Sequence, residues 1–161
     1  MPHGVVVIAA DSKSASTSVR IRVGLLKIDK YKKFIYLFFM ILTKENIKNN
    51  VIKNTAGIYY IKNKLNNKYY IGQSINMHKR LLFHIHKSKD ANYQHIHRAI
   101  SKDGIENFEF NIIAYIILDD KNEIKNKLDF LEKYYIKKYK CFGKDGYNAT
   151  VGGDRGVLGL I

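Results

Sequence analysis

A single cysteine, Cys141, stands in a chain of 161 residues. That excludes an intrachain disulfide and a cysteine-based zinc site, and it fits a reducing compartment. Acidic residues are scarce too. The 14 Asp and Glu face 28 Lys and Arg, for a formal net charge of +14. Such an excess favours a polyanionic partner, either nucleic acid or an anionic membrane surface. Apolar runs are short: Phe34 to Leu42 has nine residues, where a membrane-spanning helix needs roughly 20. The run also starts too far from the N-terminus for a signal-peptide core, and no small-residue cleavage site follows it. A membrane-surface role resting on residues 27–42 and the charge therefore ranks last, and no membrane partner is expected.

Composition changes near residue 27. Ala, Val, Ser and Arg give way to Lys, Asn, Ile and Tyr. Residues 1–50 are expected to form a poorly ordered N-terminal extension and linker with one short apolar segment. Ser-rich residues 1–26, with Arg20 and Arg22, are weakly like a transit peptide, although a tail without a role is the preferred reading. Lys44 to Lys53 is polar and reads as the linker. The organised domain is expected over residues 55–153, with a C-terminal tail over 154–161. Within it, residues 57–61 and 68–71 are β-branched and aromatic, and so predict strands. Asn66 and Asn67 tolerate positive φ and suit a tight hairpin between them. Ser74 or Asn76 caps a helix running to about Lys87. A second helix fits residues 93–102 and ends at Gly104. Residues 108–118 predict a third strand, residues 121–140 a long amphipathic helix, and residues 148–153 a Gly-rich turn. The order specifies a mixed α/β (α+β) domain with a small three-stranded sheet flanked by helices.

Three features of this frame carry chemistry. With Asn66 and Asn67 as a two-residue loop, opposed residues have numbers summing to 133. Tyr59, Ile61 and Asn63 then share a sheet face with Tyr70, Gly72 and Ser74. Gly72 is expected to leave a gap that backbone or substrate can enter. Taken alone, these tyrosines read as packing residues, because the chain has 12. Next, Arg80 and His84 are spaced i, i+4 and share a helix face. Arg holds phosphate and developing negative charge, and His moves protons near neutral pH. Third, Ile124, Leu128, Leu131, Tyr135, Ile136 and Tyr139 form one apolar stripe on the long helix. Glu132 falls inside it, whereas Asp129 and Glu123 read as solvated acids on other faces. A carboxylate in such a stripe needs a metal ion or a cationic partner. One carboxylate with waters and phosphate oxygens suits Mg²⁺.

Gly57-Ile58-Tyr59, ten residues, then Tyr70-Ile71-Gly72 resembles the signature of the GIY-YIG endonuclease superfamily. The resemblance continues through Gln73, Ser74, Asn76, Arg80 and His84, then Asp103-Gly104 with Asn107-Phe108. It runs on through residues 131–134 and 146–148 to Gly152-Gly153. It is nearest the homing type encoded in group I introns. It implies a three-stranded antiparallel sheet and metal-dependent hydrolysis of double-stranded DNA with Mg²⁺ (or Mn²⁺), and no small-molecule substrate. It further implies that Tyr59 and Tyr70 are active-site tyrosines and that Arg80 and His84 act at the phosphate. Glu132 would bind the metal, Asn148 would support the site, and Gly57 and Gly72 are motif glycines. Lys62, Lys68, Lys79 and Lys87 are candidate contacts to the DNA backbone. Tyr59 is the favoured general base, which requires a nearby cation because a free tyrosine has a pKa near 10. One active site cuts one strand at a time, so a double-strand break needs reorientation or a transient dimer on DNA. Homing members usually carry a separate recognition module after the catalytic domain. The chain ends eight residues past Gly153, so long-site recognition by this chain alone is not expected. A DNA-binding module without catalysis and a repair- or restriction-type nuclease are the alternatives.

Overall fold

The computed structural model describes residues 6–9, 40–90, 92–117 and 120–153. The expectations for most of the extension, for most of the apolar run and for the tail lie outside those residues. The elements are β1 (Val6–Ala9), β2 (Met40–Ile41), α1 (Lys44–Asn50), β3 (Ala56–Asn63) and β4 (Tyr69–Ser74), followed by α2 (Met77–Lys87), α3 (His95–Asp103), β5 (Phe108–Ile117) and α4 (Lys121–Tyr139).

β3 is central, antiparallel to β4 on one side and to β5 on the other. The sheet is nevertheless wider than the expected three strands. β2 pairs antiparallel with β5, and β1 pairs parallel with it. The physical reason is the outer edge of β5, ten residues long, whose backbone groups need partners. Alternation sorts the side chains into two layers. Tyr59, Ile61, Phe108, Phe110 and Ile112 pack with Met77, Leu81, Ile96 and Ile100 of α2 and α3. Ile58, Tyr60, Ile71, Ile113 and Ala114 pack with Leu128, Leu131, Tyr135 and Ile136 of α4 on the opposite face.

Two expectations are corrected here. Residues 44–53 are not a linker. Thr43 caps α1 by accepting from the Asn46 backbone N–H at 3.2 Å, and Ile47 and Val51 enter the core beside α2. Two apolar side chains one turn apart anchor the segment, although polar residues dominate its composition. The hairpin register also differs: Tyr59 opposes Gly72 and Ile61 opposes Tyr70, so opposed numbers sum to 131. Four residues, 64–67, form the loop. Asn63 Oδ1 accepts from the Leu65 N–H at 2.9 Å, Asn63 N–H bonds Lys68 O at 3.0 Å, and Asn67 takes φ 58°. A shift of two residues preserves the faces, because side chains alternate with period two. Tyr59 and Tyr70 therefore still project on one side.

Candidate active site

Gly72 lies directly across from Tyr59 and is required there by a close approach. A Cβ would stand 2.8 Å from Tyr59 Cε2 and nearer still to Cζ and the hydroxyl. The space expected to admit substrate is thus occupied by the phenol itself. Tyr59 is fully buried, and its hydroxyl meets His84 Nε2 at 2.8 Å. Tyr70, half-buried, has its ring centroid 6.4 Å from that of Tyr59 and 5.3 Å from that of His84.

Asn76 starts α2 by accepting from the Lys79 N–H at 3.1 Å. The first turn after that cap holds Arg80, and the next holds His84. Burial opposes charge on Arg80, but the two tyrosine hydroxyls favour it more strongly and its pKa rises. Burial lifts both tyrosines above the ordinary phenol value of 10, and Arg80 offsets only part of that. Both are therefore neutral at pH 7. Burial, then the charge of Arg80, then His97 hold His84 well below 6.5, so it is neutral as well. Its Nδ1 lies 3.0 Å from Nε2 of His97, a fully buried residue of α3.

Glu132 approaches from the other face of the sheet. β4 is an edge strand, and the site wraps around that edge. Gln73 points toward α4 and donates from Nε2 to Glu132 Oε2 and to Asp129 Oδ1, both at 2.9 Å. The Gly153 N–H also donates to Glu132 Oε2, at 3.0 Å. Gly153 has φ 72° and Gly152 φ 90°, a backbone path that glycine adopts without strain. Burial raises the pKa of Glu132, and the bonds from Gly153 and Gln73 offset part of the rise. A cationic partner is the alternative to a metal ion for this carboxylate. Its hydrogen bonds come instead from neutral donors, the ion pairs Lys62–Glu109 at 3.5 Å and Lys87–Asp90 at 3.4 Å leave it out, and the charge of Arg80 favours its ionised form as the smallest of the named influences.

Asp129 is not an ordinary solvated acid, since the Gln73 amide ties it to Glu132. Among the described residues no three His, Cys, Asp or Glu side chains converge as a metal cluster. A single half-buried carboxylate, with both hydrogen bonds on Oε2, suits Mg²⁺, which retains most of its water.

Asn148 occupies a different place from the other site residues. Its Oδ1 accepts from the Ile71 N–H at 2.9 Å, and its Nδ2 donates to Ile71 O at 2.8 Å. It therefore clamps the free edge of β4 and works through backbone. Gly57 packs against the Ala114 carbonyl and Met77. Of the four lysines, Lys79 is exposed beside Arg80, and Lys87 lies over the Tyr93 ring at 4.9 Å. Lys68 donates to the Lys144 carbonyl at 2.6 Å. Lys62 pairs with Glu109 on the α4 face of the sheet, opposite to Tyr59 and Tyr70.

Residues 55–148 match the family model for the GIY-YIG catalytic domain. The chain belongs to that family. It is 32% identical over 98 residues to the "Probable intron-encoded endonuclease 1" of Neurospora crassa, an alignment covering 60% of this chain and 32% of that protein. The chain thus spans about a third of that relative's length. Two solved structures are similar. One is a variant of the catalytic domain of intron endonuclease I-TevI, at 28% identity and TM-score 0.48, covering 61% of this chain and 96% of that one. The other is the catalytic domain of homing endonuclease I-TevI, at 31% identity and TM-score 0.46, covering 59% and 98%.

Proposed function

We propose that the chain is a metal-dependent DNA endonuclease of the homing type that hydrolyses phosphodiester bonds in double-stranded DNA. The observation that carries this reading is the Tyr59 hydroxyl held on His84 Nε2, with Arg80 beside it and Glu132 reaching the same place around the β4 edge. The basic charge of the chain and the GIY-YIG membership support a polyanionic substrate. So does the similarity to the intron-encoded endonuclease of Neurospora crassa.

A neutral, buried Tyr59 does not wait as a tyrosinate. It acts as a base only when its own proton has somewhere to go, and His84 Nε2 is that place. As water attacks the phosphorus in line and the opposite P–O bond breaks, the water proton passes to the Tyr59 oxygen while the Tyr59 proton passes to His84, and the leaving oxygen departs with the bonding pair and takes its proton from solvent. Neutral His84 is thus an acceptor rather than a stored acid for the leaving group. Arg80 opposes the charge that builds on the pentacovalent phosphate. Tyr70 donates to a phosphate oxygen or orients the water. Glu132 would hold Mg²⁺ (or Mn²⁺), with Gln73 and Gly153 fixing its carboxylate. The ion, when bound, supplies Lewis-acid charge at the phosphate.

Nicking of supercoiled plasmid DNA tests the proposal. Glu132→Ala is expected to lose Mg²⁺-dependent cleavage and Tyr59→Phe to lose cleavage altogether. Full Mg²⁺-dependent nicking by the Glu132 variant would sink the metal assignment. Cutting by the Tyr59 variant would make that ring a packing residue.

A further inference from the structure

His97 has no part in the reaction as drawn above, yet it touches the group that receives the proton. Its Nε2 lies 3.0 Å from His84 Nδ1. The two ring planes are 23° apart, with centroids 5.0 Å apart, close to the in-plane approach that a ring N–H···N bond needs. Tyr59, His84 and His97 thus form one chain of hydrogen bonds leading inward from the site. We propose that His97 is a positioning residue for the cleavage reaction. It keeps the proton of His84 on Nδ1, so that Nε2 presents a lone pair to the Tyr59 hydroxyl. This rests on the nuclease reading and deepens it, by naming what sets the tautomer of the proton acceptor.

The case follows from counting protons. A neutral imidazole has one N–H and one lone pair. Burial first and Arg80 second hold both rings neutral, with Asp90 opposing at His97. Two directions are then open to the chain. In the first, Tyr59 donates to His84 Nε2, His84 Nδ1–H donates to His97 Nε2, and His97 carries its proton on Nδ1. In the second every bond reverses, and His84 Nε2 has no lone pair for the Tyr59 proton.

The surroundings of His97 Nδ1 choose between them. That atom is buried without a hydrogen-bond partner. The ring is packed by Tyr93, with centroids 5.1 Å apart and planes at 61°, and by Phe83 at 6.4 Å and 87°. Aromatic faces attract an N–H weakly and repel a lone pair. That contrast favours the first direction, the one in which Tyr59 can pass its proton on.

The test uses the full chain labelled with ¹⁵N. Imidazole ¹⁵N–¹H correlation spectra report the His84 tautomer without any DNA. The wild type is expected to show Nδ1–H. His97→Gln places a carbonyl near the former Nε2. It is expected to keep that tautomer and to nick supercoiled plasmid within a few-fold of the wild-type single-turnover rate. His97→Phe keeps a ring for Phe83 and Tyr93 to pack on. It is expected to mix the His84 tautomers and to lower kcat by ~10²-fold with KM little changed, the scale of lost acid–base assistance. An Nε2–H tautomer in the wild type would overturn this proposal alone. So would wild-type nicking by His97→Phe, or failure of a folded His97→Gln to restore the rate. Wild-type protein that cuts no DNA in Mg²⁺ would overturn the nuclease reading, and this proposal with it.

Discussion

Replacing Gly72 by alanine adds one methyl group at the point where the two signature tripeptides meet. Its Cβ would stand 2.8 Å from Tyr59 Cε2 and closer to the hydroxyl, where ordinary contact begins at 3.4 Å. The ring must therefore retreat by about 0.6 Å at Cε2, and further at its tip. It has little room, because Tyr59 is fully buried against Tyr70 and His84. Overpacking of this kind costs about 1–3 kcal/mol. The functional cost should be larger. The displaced atom is the hydroxyl held 2.8 Å from His84, and an error approaching 1 Å in a reacting group costs on the order of 10²-fold in rate. The assay is single-turnover nicking of plasmid DNA beside urea unfolding of the same sample. Gly72→Ala is expected to stay folded and to lose about two orders of magnitude in rate. Adding Tyr59→Phe removes one of the colliding atoms, so the two substitutions should couple favourably in stability rather than add. Cleavage within a few-fold of wild type by Gly72→Ala would refute the reasoning, since the hydroxyl would then not need its observed place.

Two further outcomes follow from other contacts. Asn148→Ala strips two hydrogen bonds from Ile71 and should destabilise the fold by ~2–4 kcal/mol in urea, at 1–2 kcal/mol for each backbone group left unpaired; a loss below ~0.5 kcal/mol would show that water replaces the clamp. His97 is held down to about 4 from an ordinary 6.5. The unfolded chain therefore binds this proton first as pH falls, and the stability present above 6.5 is lost on the way toward 4. Glu132, with its raised pKa, acts in the opposite sense. The informative quantity is the difference between the wild type and His97→Gln: the urea midpoint should fall more steeply from pH 7 to pH 5 in the wild type, and parallel profiles would contradict the burial argument.

Much of the site could be read before any coordinates, and the failures have physical causes. Side-chain alternation put Tyr59, Gly72 and Tyr70 on one face despite a register wrong by two, because an even shift leaves faces unchanged. The loop was misjudged because Asn63 bonds its own backbone, which Asn66-Asn67 alone could not reveal. Glu132 was legible as a carboxylate inside an apolar stripe. The same signal exists for His97, a polar residue buried beside Ile96 and Ile100 on α3. The link between Gln73 and Asp129 carried no local sign, since it spans 56 residues. The helix at 44–50 was hidden by polar composition around Ile47 and Val51.

The Asn148 clamp has a consequence beyond holding one strand straight. Among the described residues β4 is the last strand on its side of the sheet, and a bare outer strand is a template for another chain. The Tyr147 N–H bonds Tyr69 O at 2.9 Å, and Asn148 takes both backbone groups of Ile71. The segment after α4 thus closes two consecutive pairing positions to any neighbouring molecule. It leaves the next stretch, at Gln73, facing Glu132. The edge that a polyanion must approach is the same edge that would otherwise nucleate self-association, and two residues decide how much of it each can reach.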